Sequence, residues 1–193
     1  MRLRNGTARL WLLTLLMVAM PGAALAQVNV YAEGAYTATN LDVFSYADIT
    51  GSPLCSYGVS LNYNPSKVTV ASATKNENEW YFGTSTEKQP YMNPDTATAG
   101  KIVFIGGKLD TTDPMQGVSG SRKLLGKASF NRIPGQDIVF GIAMELGKTH
   151  PPFDNFVTSV APADVLDGSA NLTFGSVTIH ERGDADGNGD INI

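Results

Sequence analysis

Cysteine and histidine are scarce in this chain of 193 residues, which has a single cysteine, Cys55, and two histidines, His150 and His180. One cysteine cannot form an intrachain disulfide, so we expect a hydrophobic core rather than cross-links to hold the fold. Long stretches of sequence separate these three residues, which disfavours a transition-metal site. Because no histidine lies near Cys55 in sequence, we interpret Cys55 as a small buried apolar side chain rather than a nucleophile.

Basic residues are also few, since 14 Lys and Arg stand against 18 Asp and Glu, for a formal net charge of −4. Three of the basic residues, Arg2, Arg4 and Arg9, lie at the amino terminus, in a segment that we expect to be removed. The remaining chain is then more acidic still, and an acidic surface repels a phosphate backbone. Nucleic acid is therefore not expected as a partner.

Hydrophobic runs long enough to cross a membrane are missing. The longest apolar run, from Leu10 to Ala19, follows the amino-terminal arginines and precedes Ala24-Leu25-Ala26, which is an A-x-A cleavage site. We therefore predict a signal peptide over residues 1–26, with cleavage after Ala26 and secretion of an extracellular protein. The run is too short for a transmembrane segment and no second run follows. No cysteine stands directly after the cleavage site, where Gln27 lies, so a lipid anchor is not expected.

Helical periodicity is absent as well, and alternation of apolar and polar residues dominates from residue 28 to residue 180. The clearest example is the set Tyr57, Val59, Leu61 and Tyr63, which alternates with small or polar residues before an Asn-Pro turn. Further strands are predicted at Val28–Ala32, Leu41–Ile49, Lys67–Ala73, Trp80–Gly83, Ile102–Ile105, Leu124–Phe130, Ile138–Leu146 and Leu172–Ile179. Eight or nine strands without helices predict an all-β fold, an antiparallel jelly-roll sandwich over residues 27–180.

Two of these strands carry finer predictions. In Leu124–Phe130 the alternation places Leu124, Ala128 and Phe130 on one face. In Leu172–Ile179 the apolar phase shifts midway, which predicts a β-bulge at Gly175-Ser176.

The carboxyl-terminal residues 183–193 read GDADGNGDINI, which has the spacing of an EF-hand calcium loop. Oxygen ligands recur at alternate loop positions around a glycine at position 6, as a hard cation requires. The predicted metal ligands are Asp184, Asp186, Asn188, Asp190 and Asn192. The acidic residue of position 12 would fall beyond Ile193, so we expect weak Ca²⁺ binding by this chain. We also expect the chain to be a fragment of a longer protein or a truncated gene product. The alternative interpretation is a solvated acidic tail.

The same residues resemble the opening of a dockerin repeat, the paired calcium-loop module with which secreted bacterial proteins bind cohesin domains. The resemblance covers the first loop positions only and places its start at residues 181–193. It implies a calcium-dependent docking segment whose partner is a protein.

A second resemblance covers nearly the whole sandwich and is carried by LDVFSYADI (41–49), YGVSLNYNPSKVTV (57–70), AGKIVFIGGKL (99–109) and KLLGKASFNRI (123–133). These segments are similar to cohesins and to the related carbohydrate-binding modules. Asn64 and Val68 stand where the family usually has Asp and Leu. The resemblance implies a non-catalytic binding or scaffolding module in extracellular assemblies that act on polysaccharides.

Exposed aromatic side chains would instead indicate a carbohydrate-binding module that grips polysaccharide. Trp80, the only tryptophan after the signal peptide, and Tyr91, in QPYMNPD, are the candidates. The alternation predicts that Trp80 and Phe82 share one face of a strand, where the core is the simpler interpretation for both. Tyr91 lies between prolines in a segment that we expect to be exposed.

The sequence gives little support for a catalytic site. Hydrolysis of glycans requires two carboxyl groups that flank a cleft, but most acidic residues of this chain lie in predicted turns, where capping is their ordinary role. Neither histidine lies near a G-x-S-x-G motif, and GVSGSRK around Ser119 lacks the final glycine. We therefore predict that the protein is not an enzyme.

Overall fold

The computed structural model describes residues 25–90, 92–112, 117–133, 135, 143–146, 156–158 and 165–182, with residues 143–146 described by their backbone alone. These ranges contain no helix and therefore none that could cross a membrane. Their eleven strands are β1 (Gln27–Tyr36), β2 (Asn40–Leu54), β3 (Ser56–Asn62), β4 (Val68–Lys75), β5 (Phe82–Gly83), β6 (Lys88–Gln89), β7 (Lys101–Gly107), β8 (Leu109–Asp110), β9 (Val118–Arg132), β10 (Ala143–Leu146) and β11 (Leu172–Glu181).

The first layer is a five-stranded sheet in the order β11-β1-β2-β9-β4. β1 and β2 form a hairpin, whose turn is closed by the Thr37 N–H donating to the Asn40 carbonyl at 2.8 Å and by the Thr37 hydroxyl accepting from the Asn40 N–H at 3.2 Å. β2, β9 and β4 continue in antiparallel pairs, whereas β11 lies parallel to β1. Distant segments of the chain form that parallel pair, so no tight turn dictates its direction.

The second layer is a three-stranded sheet in the order β10-β3-β7, and a small sheet of β6, β5 and β8 lies beside it. The core fills the space between the layers, because alternate residues of each strand point inward. The inward residues include Val28, Val30, Leu41, Val43, Ile49, Tyr57, Leu61, Ile102, Phe104 and Phe130, all of which are buried. The predicted all-β sandwich is confirmed, with eight strands longer than two residues among the described ranges.

A β-bulge interrupts the pairing of β11 with β1. Phe174 pairs with Val30 and Val177 pairs with Ala32, so Gly175 and Ser176 together stand opposite the single residue Tyr31. The bulge predicted at Gly175-Ser176 is confirmed. Its consequence for the outer surface of the sheet is described below.

Two finer predictions were wrong. Leu125, not Leu124, belongs to the buried core, because the pairing of β9 with β2 shifts between Gly126 and Leu124 and reverses the phase of the alternation. The predicted strand Trp80–Gly83 is reduced to β5, Phe82–Gly83. Trp80 instead ends a turn in which its N–H donates to the Asn76 carbonyl at 3.0 Å.

Candidate functional site

The two layers differ in how much of their outer faces is open. On β3 and β7 the residues of both faces are buried, including Gly58, Ser60, Val103 and Ile105 on the side away from the core. On β1 and β2 the residues that point outward are partly exposed. The outer face of the five-stranded sheet is therefore the open sheet surface of the described chain.

Aromatic side chains gather on that open face. The alternation of β2 buries Leu41, Val43 and Ala47 and turns Phe44 and Tyr46 outward, where Tyr31 of β1 lies directly opposite Tyr46. We call Tyr31, Phe44 and Tyr46 the aromatic row. The ring centroids of Tyr31 and Tyr46 are 5.8 Å apart, and those of Phe44 and Tyr46 are 6.2 Å apart with an angle of 15° between the ring planes.

Arg122 of β9 ties the aromatic row to two acidic residues. Its guanidinium donates to both carboxylate oxygens of Glu33, at 2.7 and 2.6 Å, and its carbon lies 4.5 Å from the centre of the Tyr46 ring. Its backbone N–H donates to Asp48 Oδ1 at 2.7 Å. The hydrogen bond to Glu33 raises the pKa of Arg122 above its ordinary value. The guanidinium therefore stays charged.

Arg122 also has an unusual backbone conformation, with a φ of 55°. A residue with a side chain adopts this left-handed region at a cost, and such residues cluster where the surrounding structure or a function holds them in place. Here the Asp48 carboxylate and the Glu33 pair hold Arg122 from both its backbone and its side chain. The cluster is therefore built into the sheet rather than an accidental surface contact.

A second charged cluster lies at the other end of the aromatic row. Asp42 accepts a hydrogen bond from the Ser129 hydroxyl at 2.6 Å and pairs with Lys127 at 3.4 Å and with Arg182 at 3.2 Å. Partial burial raises the pKa of Asp42, but the Ser129 hydrogen bond and the Lys127 and Arg182 charges outweigh it and lower that pKa below its ordinary value. The Lys127 ammonium lies 5.2 Å from the centre of the Phe44 ring.

A shallow trough of about 580 Å³ opens beside Tyr31, between β11, β1 and β2. The β-bulge widens this part of the sheet, because Gly175 presents no side chain over Tyr31. Partial burial and the nearby charges of Asp48 and Glu33 raise the pKa of Tyr31, so its hydroxyl remains a hydrogen-bond donor. Besides the bulge residues, the trough is lined by Asn29, Tyr31, Glu33, Asp48, Thr178 and His180.

The residues singled out from sequence have two outcomes. The predicted calcium ligands Asp184, Asp186, Asn188, Asp190 and Asn192, and the candidate sugar platform Tyr91, lie outside the described residues. Trp80 is fully buried, its ring packs edge-on against Tyr57 at 4.8 Å between centroids, and its Nε1–H donates to the Leu124 carbonyl at 3.1 Å. The core interpretation of Trp80 is confirmed, as is the burial of Cys55, which raises the pKa of its thiol.

Several acidic residues serve as turn caps, as expected. Asp95 Oδ1 accepts the Ala97 N–H and Asp110 Oδ1 accepts the Thr112 N–H, both at 2.9 Å. Asp167 Oδ1 instead accepts the N–H of Phe156 at 2.9 Å and so links two separate segments. Asp110 is buried and also accepts the Tyr81 hydroxyl at 2.9 Å. These carboxylates stabilise turns or buried polar groups.

Sequence reasoning missed the aromatic row and the trough. The available signal was in LDVFSYADI, where Phe44 and Tyr46 share the polar phase of the alternation with Asp42 and Asp48. Aromatic residues at the outward-facing positions of a strand place their rings on the exposed face of the sheet, here beside the charged side chains of the same positions. No local signal in the sequence could place Arg122 beside them.

Comparison with solved structures identifies the fold. The seventh ScaB type I cohesin from Pseudobacteroides cellulosolvens superposes with a TM-score of 0.53 at 10% identity, over 80% of this chain and 93% of the cohesin. The Coh-OlpC–Doc435 complex, a type I cohesin–dockerin complex from Clostridium thermocellum, gives 0.52 at 14% identity, over 80% and 94%. A CaDoc0917–CaCohA2 complex gives 0.50 at 16%, over 79% and 99%. No protein-family model and no curated protein matches the chain. The chain has a cohesin-like fold.

Proposed function

We propose that this chain is a non-catalytic protein-docking module of the cohesin kind. The observation that carries the proposal is the extent of the structural likeness, which covers 80% of this chain and 93% of a cohesin module. The sandwich thus corresponds to a whole module rather than to a shared pair of sheets. Since many functions can share one fold, the docking role is an inference from analogy, and its test must be binding.

The proposed partner is a dockerin-type module. Two of the similar structures are complexes in which a cohesin is bound to a dockerin. With an acidic composition and a single cysteine, the chain suits an exported protein held by its core. Export through the signal peptide of residues 1–26 remains part of the proposal.

The roles of the described carboxylates support a non-catalytic module. Both carboxylate oxygens of Glu33 are paired with Arg122. The Asp42 carboxylate accepts from the Ser129 hydroxyl and pairs with Lys127 and Arg182. The Asp110 carboxylate accepts from the hydroxyls of Tyr81 and Thr112. A general acid or nucleophile needs a carboxyl group available to the substrate in a cleft. These three carboxylates are instead occupied by structural partners.

The tail would add a second, calcium-dependent docking segment. Arg182, the last described residue, donates its N–H to the Tyr36 carbonyl at 2.7 Å and pairs with Asp42. Arg182 therefore lies against β1 and β2. We propose that Asp184, Asp186, Asn188, Asp190 and Asn192 bind Ca²⁺, and that the ion folds the loop.

Calorimetry tests the docking proposal. The purified protein is titrated with the dockerin modules encoded by the same genome, in millimolar Ca²⁺ and again in excess EDTA. We expect at least one module to bind with a micromolar or lower Kd in Ca²⁺ and to lose binding in EDTA. The matched control is the same dockerin with its calcium-loop aspartates changed to alanine. Failure of every intact module to bind would contradict the proposal.

The tail needs its own experiment, because the sandwich can dock without it. The chain, extended past Ile193 so that loop position 12 carries a glutamate, is titrated with Ca²⁺ and followed by calorimetry and circular dichroism. Asp184→Ala with Asp186→Ala should abolish the heat and the spectral change, whereas Glu77→Ala, at an exposed acidic residue of the turn after β4, should leave both intact. If the heat and the circular dichroism of the extended chain are the same in Ca²⁺ and in chelator, calcium binding by the tail is refuted, while the docking proposal for the sandwich is unaffected.

A further inference from the structure

The structure assigns a second binding site to this module. We propose that the trough beside Tyr31 binds a neutral glycan, with one sugar ring against the aromatic side chain and its hydroxyls on the flanking polar groups. The trough brings together, from three strands, Asn29, Tyr31, Glu33, Asp48, Thr178 and His180. This site is independent of the docking function proposed above.

The lining supplies both kinds of contact that a sugar needs. A pyranose has an apolar C–H face and a rim of hydroxyls that both donate and accept hydrogen bonds. Tyr31 offers a partly exposed ring for the apolar face, while the Asp48 carboxylate, which uses one oxygen on the Arg122 N–H, can accept from hydroxyls with the other. The side chains of Thr178 and His180 make no hydrogen bond to another described residue, so they are available to a ligand.

The charges of the site favour a neutral ligand. Glu33 is closed in a two-point pair with Arg122, and Asp48 uses one oxygen on the Arg122 N–H. Among the residues that the structure describes, no cationic side chain pairs with Asp48, and its negative charge would repel a phosphate or a uronic acid. A cationic peptide would have to displace Arg122 from its ion pair with Glu33. A neutral glycan is not repelled by the carboxylate charge and does not need to break that ion pair.

The shape of the site depends on the β-bulge. A Cβ at Gly175 would lie 3.3 Å from Tyr31 Cβ and 3.5 Å from the Val30 carbonyl oxygen, so a longer side chain there would occupy the space beside the ring. With Gly175 in place, the trough has a volume of about 580 Å³, within the range of small-molecule sites. The bulge thus creates room that a regular strand would fill.

The site is also held rigidly before any ligand arrives. Its residues project from hydrogen-bonded strands, and Tyr31 packs against Tyr46, which in turn lies under the Arg122 guanidinium. The Thr173 hydroxyl donates to Asn29 Oδ1 at 3.0 Å, which leaves the amide NH₂ free to donate to a sugar. Preorganised groups lose little freedom on binding, which favours affinity.

Affinity electrophoresis tests the proposal. The purified protein is run in native gels that contain hydroxyethylcellulose, arabinoxylan or galactomannan, and in gels that contain polygalacturonate. We expect retardation by at least one neutral polysaccharide and none by polygalacturonate. Tyr31→Ala should weaken the affinity for that polysaccharide by about tenfold or more, which is the effect expected from the loss of one aromatic stacking contact.

Two further variants separate the site from a general loss of structure. Gly175→Leu fills the trough without removing a lining group and should also abolish retardation. Phe44→Ala removes a partly exposed ring from the same face but outside the trough, and should leave retardation unchanged. Thermal melting of all variants shows which are folded.

The proposal is overturned by any of three results. The first is mobility that no neutral polysaccharide alters. The second is an equal loss of binding in Phe44→Ala and Tyr31→Ala. The third is a folded Tyr31→Ala that loses dockerin binding together with polysaccharide binding, since the trough would then belong to the docking interface and not to a separate site. Dockerin binding that survives in Tyr31→Ala while glycan binding is lost supports two separate sites.

Discussion

Arg122 and Glu33 form a two-point ion pair, with contacts of 2.7 and 2.6 Å, that reaches across β2 from β9 to β1. Tyr46 of the intervening strand lies beneath the guanidinium. The pair therefore cross-links three strands on the outer face through side chains alone, although 89 residues separate its members in sequence.

Two substitutions at Arg122 separate the stability that the ion pair contributes from the free-energy cost of the left-handed backbone conformation. Arg122→Ala loses the pair but keeps the left-handed φ of 55°, so we expect a loss of about 0.5–1 kcal/mol in the free energy of unfolding. Arg122→Gly loses the same contacts but relieves a backbone cost of about 1 kcal/mol, so it should be near neutral. Urea unfolding of both variants measures the difference. A glycine variant less stable than the alanine variant would contradict this account.

Removal of one buried hydroxyl should be costly at Tyr57. Its hydroxyl donates to the Leu125 carbonyl at 2.6 Å, deep in the core, and burial raises the pKa of Tyr57 above its ordinary value. Tyr57→Phe leaves that carbonyl without its partner, and we expect a loss of about 1–3 kcal/mol in the free energy of unfolding.

Tyr46→Phe is the matched control for Tyr57→Phe, because it removes a hydroxyl from a partly exposed tyrosine of the same sandwich. Its unfolding free energy should change by less than about 0.5 kcal/mol. Equal effects of the two substitutions in urea unfolding would show that the Tyr57 hydrogen bond is not a special stabilising contact.

Much of the fold was accessible from sequence, since alternation depends on local residues alone. The phase shift in LTFGSVTI even located the bulge at Gly175-Ser176. Leu124 was misplaced because the pairing of β9 with β2 is irregular between Leu124 and Gly126. Gly126, a glycine inside the strand, was the local signal available for this irregularity. The candidate site was missed because Arg122 meets Glu33 and Asp48 only after β1, β2 and β9 have paired.

Trp80 provides a test of the core interpretation. Its ring is fully buried against Tyr57, and its indole N–H donates to the Leu124 carbonyl. Trp80→Ala should reduce the free energy of unfolding by about 3–5 kcal/mol through the cavity that it leaves. Trp80→Phe, which keeps an aromatic ring, should cost less. Denaturant unfolding followed by circular dichroism measures both, and a Trp80→Ala variant as stable as the parent would refute the core assignment.

Asp42 should make the free energy of unfolding of the sandwich depend on pH. The Ser129 hydroxyl, Lys127 and Arg182 surround its carboxylate and hold its folded pKa below the ordinary value despite partial burial. A lowered folded pKa contributes stability that is present above the unfolded pKa of about 3.9 and disappears as the pH falls through the folded pKa. Asp42→Asn should therefore be less stable than the parent near neutral pH, by on the order of 1 kcal/mol.

The same reasoning predicts that the two proteins converge in stability as the pH falls through the lowered folded pKa of Asp42, because the parent carboxylate is then protonated and uncharged like the asparagine. Urea unfolding at a series of pH values gives the difference directly, and Glu77→Gln, at an exposed acidic residue, serves as the control that should show little difference at any pH. A gap between Asp42→Asn and the parent that stays constant from neutral to acid pH would mean that the charge of Asp42 is not what binds Ser129, Lys127 and Arg182 together. In that case the amide would destabilise the sandwich through its shape or its hydrogen-bond direction, and not through the loss of charge.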